Sequence, residues 1–208
     1  MFIFHIGFPK TGTTSLQTFL KNQNNIQYLG KFTDPKFKAK DKIAKIITYL
    51  LYSKDINKFY KTVKKYKLKL NKQKIYFYSE EDILNFYCKI PLDEKIKRLK
   101  YFLSFNQIKE YKILIGIRKP VDLIMSLITE EVSAFRYKKK INYESLIHDE
   151  RIIKFIKFKK KIFKFFPKKN LVFFDYESIY LEKNYNKIKK LFKLTNVNLP
   201  TKNISKKI

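Results

Sequence analysis

The nine residues from Gly7 to Ser15, GFPKTGTTS, constrain this chain more than any other stretch. They follow an apolar run, Phe2 to Ile6, that reads as a short buried strand. They precede Leu16, Phe19 and Leu20, which are spaced as one face of a helix. A strand that turns tightly through glycine into a helix start makes an anion site. The first backbone N–H groups of a helix lack intrahelical partners, and its dipole favours negative charge there. Gly7 and Gly12 let the backbone come close to a ligand, and Thr13 and Thr14 add hydroxyl donors.

Gly7, Gly12 and Thr14 have the spacing of the NTPase loop G-x-x-x-x-G-K-[ST], but Thr13 stands where that loop carries its lysine. The only lysine of the loop is Lys10. In this order Pro9, Lys10, Thr11, Gly12, Thr13, Thr14 and Ser15 resemble the 5′-phosphosulfate loop of the sulfotransferase family. Members of that family take a sulfuryl group from 3′-phosphoadenosine 5′-phosphosulfate (PAPS) and release 3′,5′-ADP.

A second segment strengthens the resemblance. Lys112 to Pro120, KILIGIRKP, reads as a buried strand ending in Arg118, with Ser126 further on. Sulfotransferases hold the donor's 3′-phosphate with an Arg at a strand end and a Ser on the next helix, spaced R-x-P-x-x-x-x-x-S. Arg118, Pro120 and Ser126 match that spacing. The chemistry is sound apart from the family: guanidinium offers a planar fork for phosphate oxygens, and proline suits a first helical turn. The resemblance implies PAPS binding by the loop residues named above together with Arg118 and Ser126.

Sulfuryl transfer builds negative charge on the donor's bridging oxygen, so a cation belongs there, and Lys10 is the candidate. The acceptor must lose a proton to a carboxylate or histidine within reach. The strand expected at 75–79 ends in Ser79-Glu80-Glu81-Asp82, and carboxylates at the end of a parallel strand lie in the crevice where α/β proteins bind ligands. Glycan sulfotransferases have a Glu base after a comparable strand, so by resemblance Glu80 or Glu81 is the base, with Glu80 nearer the strand end. These acids also suit the first turn of a helix. His5 lies inside the first strand and reads as a packed, hydrogen-bonded histidine, and His148 sits in a polar acidic stretch. Glu130, Glu131 and Arg136 follow Ser126 on the acceptor side by location. No Cys/His cluster has metal spacing, and PAPS transfer in this family needs no metal.

The formal charge of +29 invites a nucleic-acid reading. Of the 47 basic residues only four are Arg (Arg98, Arg118, Arg136 and Arg151), although arginine dominates base and phosphate contacts. Abundant Lys, Asn, Ile, Phe and Tyr all have A/T-rich codons, so biased base composition accounts for the lysines, most of which solvate helix faces. No specific nucleic-acid partner is expected; a general attraction for an anionic donor and acceptor is. With 208 residues the chain suits one domain, 1–208. No signal-peptide pattern precedes the first loop, and no apolar stretch approaches the ~18 residues of a membrane span, which points to the cytoplasm. Cys88 is the single cysteine and reads as a small buried hydrophobe.

Short apolar strands are expected at 2–6, about 27–30, 75–79, 112–117 and 171–175. Helices are expected at 14–24, 42–52, 92–108, 120–134, 151–166 and 184–194. Alternating strands and helices give an α/β, three-layer domain with a mostly parallel central sheet, the P-loop-like layout of sulfotransferases. Lys-rich 31–42 and 136–144 read as loops. Asn170 to Ile179, NLVFFDYESI, resembles the family's late strand followed by Tyr-Glu-x-Leu/Ile, with Glu177 capping or pairing, and Asn203-Ile204-Ser205 resembles an Asn-x-Ser near the C-terminus of bacterial members. The expected activity is sulfuryl transfer from PAPS to a hydroxyl or amine, on a glycan or another small acceptor. The competing readings are a P-loop kinase or NTPase and a non-catalytic basic nucleic-acid-binding protein.

Overall fold

The computed structural model describes residues 1–7, 11–30, 43, 46–47, 53–65, 68, 70–80, 90–133 and 162–200. Five strands are present among them: β1 (Phe2–His5), β2 (Ile26–Gly30), β3 (Ile75–Ser79), β4 (Tyr111–Ile117) and β5 (Leu171–Asp175). All pair in parallel, in the order β2-β3-β1-β4-β5. The helices are α1 (Thr13–Lys21), α2 (Ile56–Lys65), α3 (Leu92–Phe105), α4 (Pro120–Ser133), α5 (Tyr176–Tyr180) and α6 (Asn186–Phe192).

The period-two alternation of the strands divides the core between two faces. Phe2 and Phe4 of β1, with Tyr76 and Tyr78 of β3, point to one side, where Phe59 and Val63 of α2 and Ile96, Leu99 and Phe102 of α3 cover them. The Phe102 ring stands edge-on to Phe2 and Phe4, with centroids 6.2 and 6.3 Å away, a favoured aromatic geometry. Ile3, Phe77, Leu114 and Phe174 point to the other side, under Leu16 and Leu20 of α1 and Ile188, Leu191 and Phe192 of α6. The result is the three-layer α/β arrangement expected from the sequence, with a sheet that is parallel throughout.

The crossovers position the site. The connection leaving β1 carries α1 over one face, while α2, α3 and the start of α4, through Leu123, pack on the other. Neighbouring strands β1 and β4 therefore send their chains to opposite faces, which opens a crevice beyond their C-terminal ends. The end of β3 flanks this crevice on one side and the end of β5 on the other.

Several element boundaries differ from those read in the sequence. The first helix stops at Lys21 because Asn22 takes its C-cap, and the helix expected to reach 108 stops at Phe105, ahead of Gln107 at φ 54°. The last helix is only 186–192, closed by Lys193 in the left-handed region. Helix α2 was not expected: its buried residues are Phe59 and Val63 alone, and lysines fill much of the rest. Helix α5 was read only as a Tyr-Glu-x-Ile element. Of 42–52, residues 43, 46 and 47 are helical; of 151–166, residues 162–165 are helical and Phe166 is a bend; the remainder of both, and the expected loops 31–42 and 136–144, lie outside the described residues.

Arg98 of α3 is a fold residue. Its guanidinium is buried, binds Glu94 Oε1 at 2.7 Å and the Ser53 carbonyl at 2.6 Å, and lies over the Phe59 ring.

Candidate functional site

The loop after β1 reaches α1 through Gly12, whose backbone is left-handed at φ 76°, a conformation that costs glycine nothing and other residues strain. A Cβ there would also fall within the Tyr180 ring. As the N-cap residue, Gly12 contributes no side-chain oxygen to compete with a ligand for the N–H groups of Thr14 and Ser15. Its carbonyl accepts from Leu16 N at 3.4 Å, the first helical bond, and from the Tyr180 hydroxyl. Thr11 is fully buried, Thr13 and Ser15 are nearly so, and Thr14 is exposed. Pro9 and Lys10 lie outside the described residues.

Thr11 packs over β4, and that strand has a glycine where they meet. A Cβ on Gly116 would stand 2.5 Å from Thr11 Oγ1 and 2.8 Å from the Phe174 ring. Ile117 then ends β4, and Arg118, two residues after Gly116, begins the turn into α4. The Arg118 guanidinium lies over the Tyr176 ring, 4.4 Å from its centroid, a cation–π stack that orients the fork. Pro120 opens α4 as expected, and Ser126 is half-buried on its second turn. The loop before α1 and the Arg118 turn thus leave adjacent parallel strands at the same sheet edge.

Glu177 anchors this corner. Its Oε1 accepts from the Lys119 backbone N–H at 3.2 Å, and its Oε2 is buried without a hydrogen-bond partner. Burial raises the Glu177 pKa, and Asp175 beside it raises it further, since a protonated Glu177 can donate to that carboxylate. The expectation that Glu177 caps or pairs resolves between two residues. Asp175 caps α5 by accepting from Ser178 N at 3.2 Å, and Glu177 pairs with the turn after β4.

Beneath the loop lies a buried polar group. His5 Nδ1 is 2.7 Å from Ser79 Oγ, and Gln17 Nε2 of α1 donates to the same oxygen at 2.7 Å. The imidazole sits between Phe77 and Phe174, with ring centroids 6.2 and 5.7 Å away. His5 is therefore packed and hydrogen-bonded. Glu80 follows β3 directly, its backbone N–H donates to the His5 carbonyl at 3.0 Å, and the residue is fully buried at the crevice edge. Glu81, Cys88, Arg136 and His148 lie outside the described residues, as do the side chains of Glu130 and Glu131 and the segment 201–208. Among the described residues no group of three or more His, Cys, Asp or Glu could hold a metal ion, and no helix is long and apolar enough to cross a membrane.

No protein-family model matches the chain, and no curated protein matches it in sequence. Solved structures do match. A sulfotransferase from Alicyclobacillus acidocaldarius superposes with a TM-score of 0.57 over 99% of this chain and 85% of that one, at 16% identity. The chain has the sulfotransferase fold. Mouse sulfotransferase SULT7A1, solved in complex with PAP, is also similar, with a TM-score of 0.48 and 16% identity over 94% of this chain and 59% of its own.

Within the sulfotransferase fold, the described residues marked from the sequence fall along one sheet edge: Glu80 after β3, Gly12 to Ser15 after β1, Arg118 and Ser126 after β4. Four contributors were not marked: Gly116, Gln17, Tyr176 and Tyr180. Only the two tyrosines carried a signal: Tyr180 directly follows the Tyr-Glu-x-Ile element, four residues after Tyr176, a spacing that puts both rings on one helix face, with centroids 4.9 Å apart and planes tilted by 35°.

Proposed function

We propose that this protein transfers a sulfuryl group from PAPS to a hydroxyl or amine of an acceptor, with a glycan as the leading class. One observation carries the reading. An uncapped helix start at Gly12 and an arginine shelved on an aromatic ring leave adjacent parallel strands β1 and β4, on a fold that matches a sulfotransferase. Two anion sites of different chemistry, side by side, suit a nucleotide that carries phosphate at both ends of its ribose.

In this reading the backbone and hydroxyls of Thr11 to Ser15 take the 5′-phosphosulfate, with Pro9 shaping the loop, and Arg118 and Ser126 take the 3′-phosphate. The acceptor oxygen attacks sulfur in line, the bond from sulfur to the 5′-phosphate oxygen breaks, and 3′,5′-ADP departs. Lys10 meets the charge that develops on the leaving oxygen. Glu80 receives the acceptor proton. Its position at the crevice edge supports that assignment, and the glycan class rests on the resemblance of this carboxylate to the base of glycan sulfotransferases. Neither competing reading gains an observation. Thr13 replaces the nucleotide-gripping lysine of an NTPase, and the residue just after β4 is Arg118 rather than a metal-binding carboxylate.

The test compares 3′,5′-ADP with ADP lacking the 3′-phosphate by thermal shift, followed by transfer of labelled sulfate from PAPS to glycans. Binding raises the melting temperature by mass action, and Arg118→Ala removes most of the rise given by 3′,5′-ADP. Equal stabilisation by both nucleotides rejects the 3′-phosphate site.

A further inference from the structure

Helix α5 is five residues long, yet it touches both candidate phosphate subsites. On one side the Tyr180 hydroxyl donates to the Gly12 carbonyl, and the Tyr180 ring fills the space that a Cβ on Gly12 would need. On the other, the Tyr176 ring carries the Arg118 guanidinium at 4.4 Å, and Glu177 Oε1 binds the Lys119 N–H at 3.2 Å. The two rings lie against each other, with centroids 4.9 Å apart and planes tilted by 35°, and buried Ile179 seats the helix in the core. Burial raises the Tyr180 pKa, and Tyr176 and Tyr185 add to the shift, so the phenol stays protonated and keeps donating.

We propose that α5 is a common mount that fixes the spacing between the two phosphate subsites, with Tyr180 the positioning residue on the Gly12 side. The argument is geometric. Gly12 and Arg118 stand on loops from two strands, and a bisphosphorylated nucleotide needs both at one separation. Either loop alone can follow a ligand that bears a single phosphate. Both together can serve the bisphosphate only if something rigid spans them. Five consecutive residues with side chains on both loops supply that span. The inference rests on the donor-binding reading above.

The experiment measures the affinity of the full chain for three probes: 3′,5′-ADP, AMP and adenosine 3′-phosphate. Tyr180→Phe keeps the ring and removes the hydrogen bond. It is expected to weaken 3′,5′-ADP about tenfold, to weaken AMP less, and to leave adenosine 3′-phosphate unchanged. In an Arg118→Ala background, where the 3′-anchor is gone, the extra loss for 3′,5′-ADP is expected to vanish. The same logic runs from the other end with Tyr176→Leu, which is expected to cost 3′,5′-ADP more than it costs adenosine 3′-phosphate. Equal losses for all three probes mean that the variant only damages the fold, and equal losses for AMP and 3′,5′-ADP mean that Tyr180 serves its own loop alone; either overturns the mount. Should Tyr180→Phe fail to fold, the Tyr176→Leu comparison decides. A wild-type chain that binds 3′,5′-ADP while neither variant changes its affinity overturns the mount and leaves the functional reading standing. A wild-type chain that binds none of the three probes overturns both.

Discussion

At the scale of single residues, Glu177 carries the clearest electrostatic signature. Its carboxyl holds a proton more tightly in the folded chain than in the unfolded one, where its ordinary value is 4.5. The sign follows from linkage. With the folded pKa raised, the stability this group contributes is present in full below the ordinary value and is lost as pH rises through the folded value. Above the folded value the charged form bears the cost of burial. Glu177→Gln keeps an oxygen for the Lys119 N–H and removes the charge. The variant should match or exceed the wild type in melting temperature near pH 7, and the balance should tip toward the wild type as pH falls toward about 4. A difference between the two that stays flat with pH would show that burial does not tune this carboxyl.

At the scale of elements, β4 and the loop after β1 fit each other through the missing side chain of Gly116. Its position is ordinary strand, so the constraint is space alone: a methyl group would press on Thr11 Oγ1 and the Phe174 ring. Gly116→Ala should cost about 1–3 kcal/mol, the usual range for overpacking, read as a lowered urea midpoint with unchanged slope. Because Thr11 is the part that must move, 3′,5′-ADP binding should weaken in the same variant. Normal stability and binding together would mean that the loop has room to spare. The strands were legible because a sheet covered on both faces turns each one into an unbroken apolar run, and all five lie within a residue of their expected bounds at both ends. The loop residues and Arg118 were legible because glycine, arginine and proline have few other reasons to stand at those spacings. Helix α2 was hidden by its lysines. The role of α5 was hidden for another reason: Tyr180 and Gly12 stand 168 residues apart, and periodicity says nothing about contacts between elements.

At the scale of the whole molecule, the formal charge of +29 acts on everything at once. Like charges crowded on one surface repel, which destabilises the compact state, and the same field draws in an anionic nucleotide. Both effects are screened within about 10 Å at about 0.1 M salt. Raising NaCl from about 0.05 M to about 0.5 M should therefore raise the melting temperature of the free protein while it weakens 3′,5′-ADP binding, the two trends running in opposite directions. Trends of the same sign would mean that local contacts, not the overall field, set the response. The strand order has a consequence in time. The central strand β1 is made first, yet both its neighbours come much later, with Phe2 registered against Tyr76 and Tyr111. At cellular rates of synthesis the roughly hundred residues between them take about 5–20 s to emerge. Until β3 emerges Phe2, Ile3 and Phe4 have no strand to pair with, and their other side stays open until β4 is made. Thr11, which packs over Gly116 of β4, therefore cannot complete its contacts until β4 is made, and a nascent chain paused before residue 111 should engage chaperones through Phe2 to Phe4.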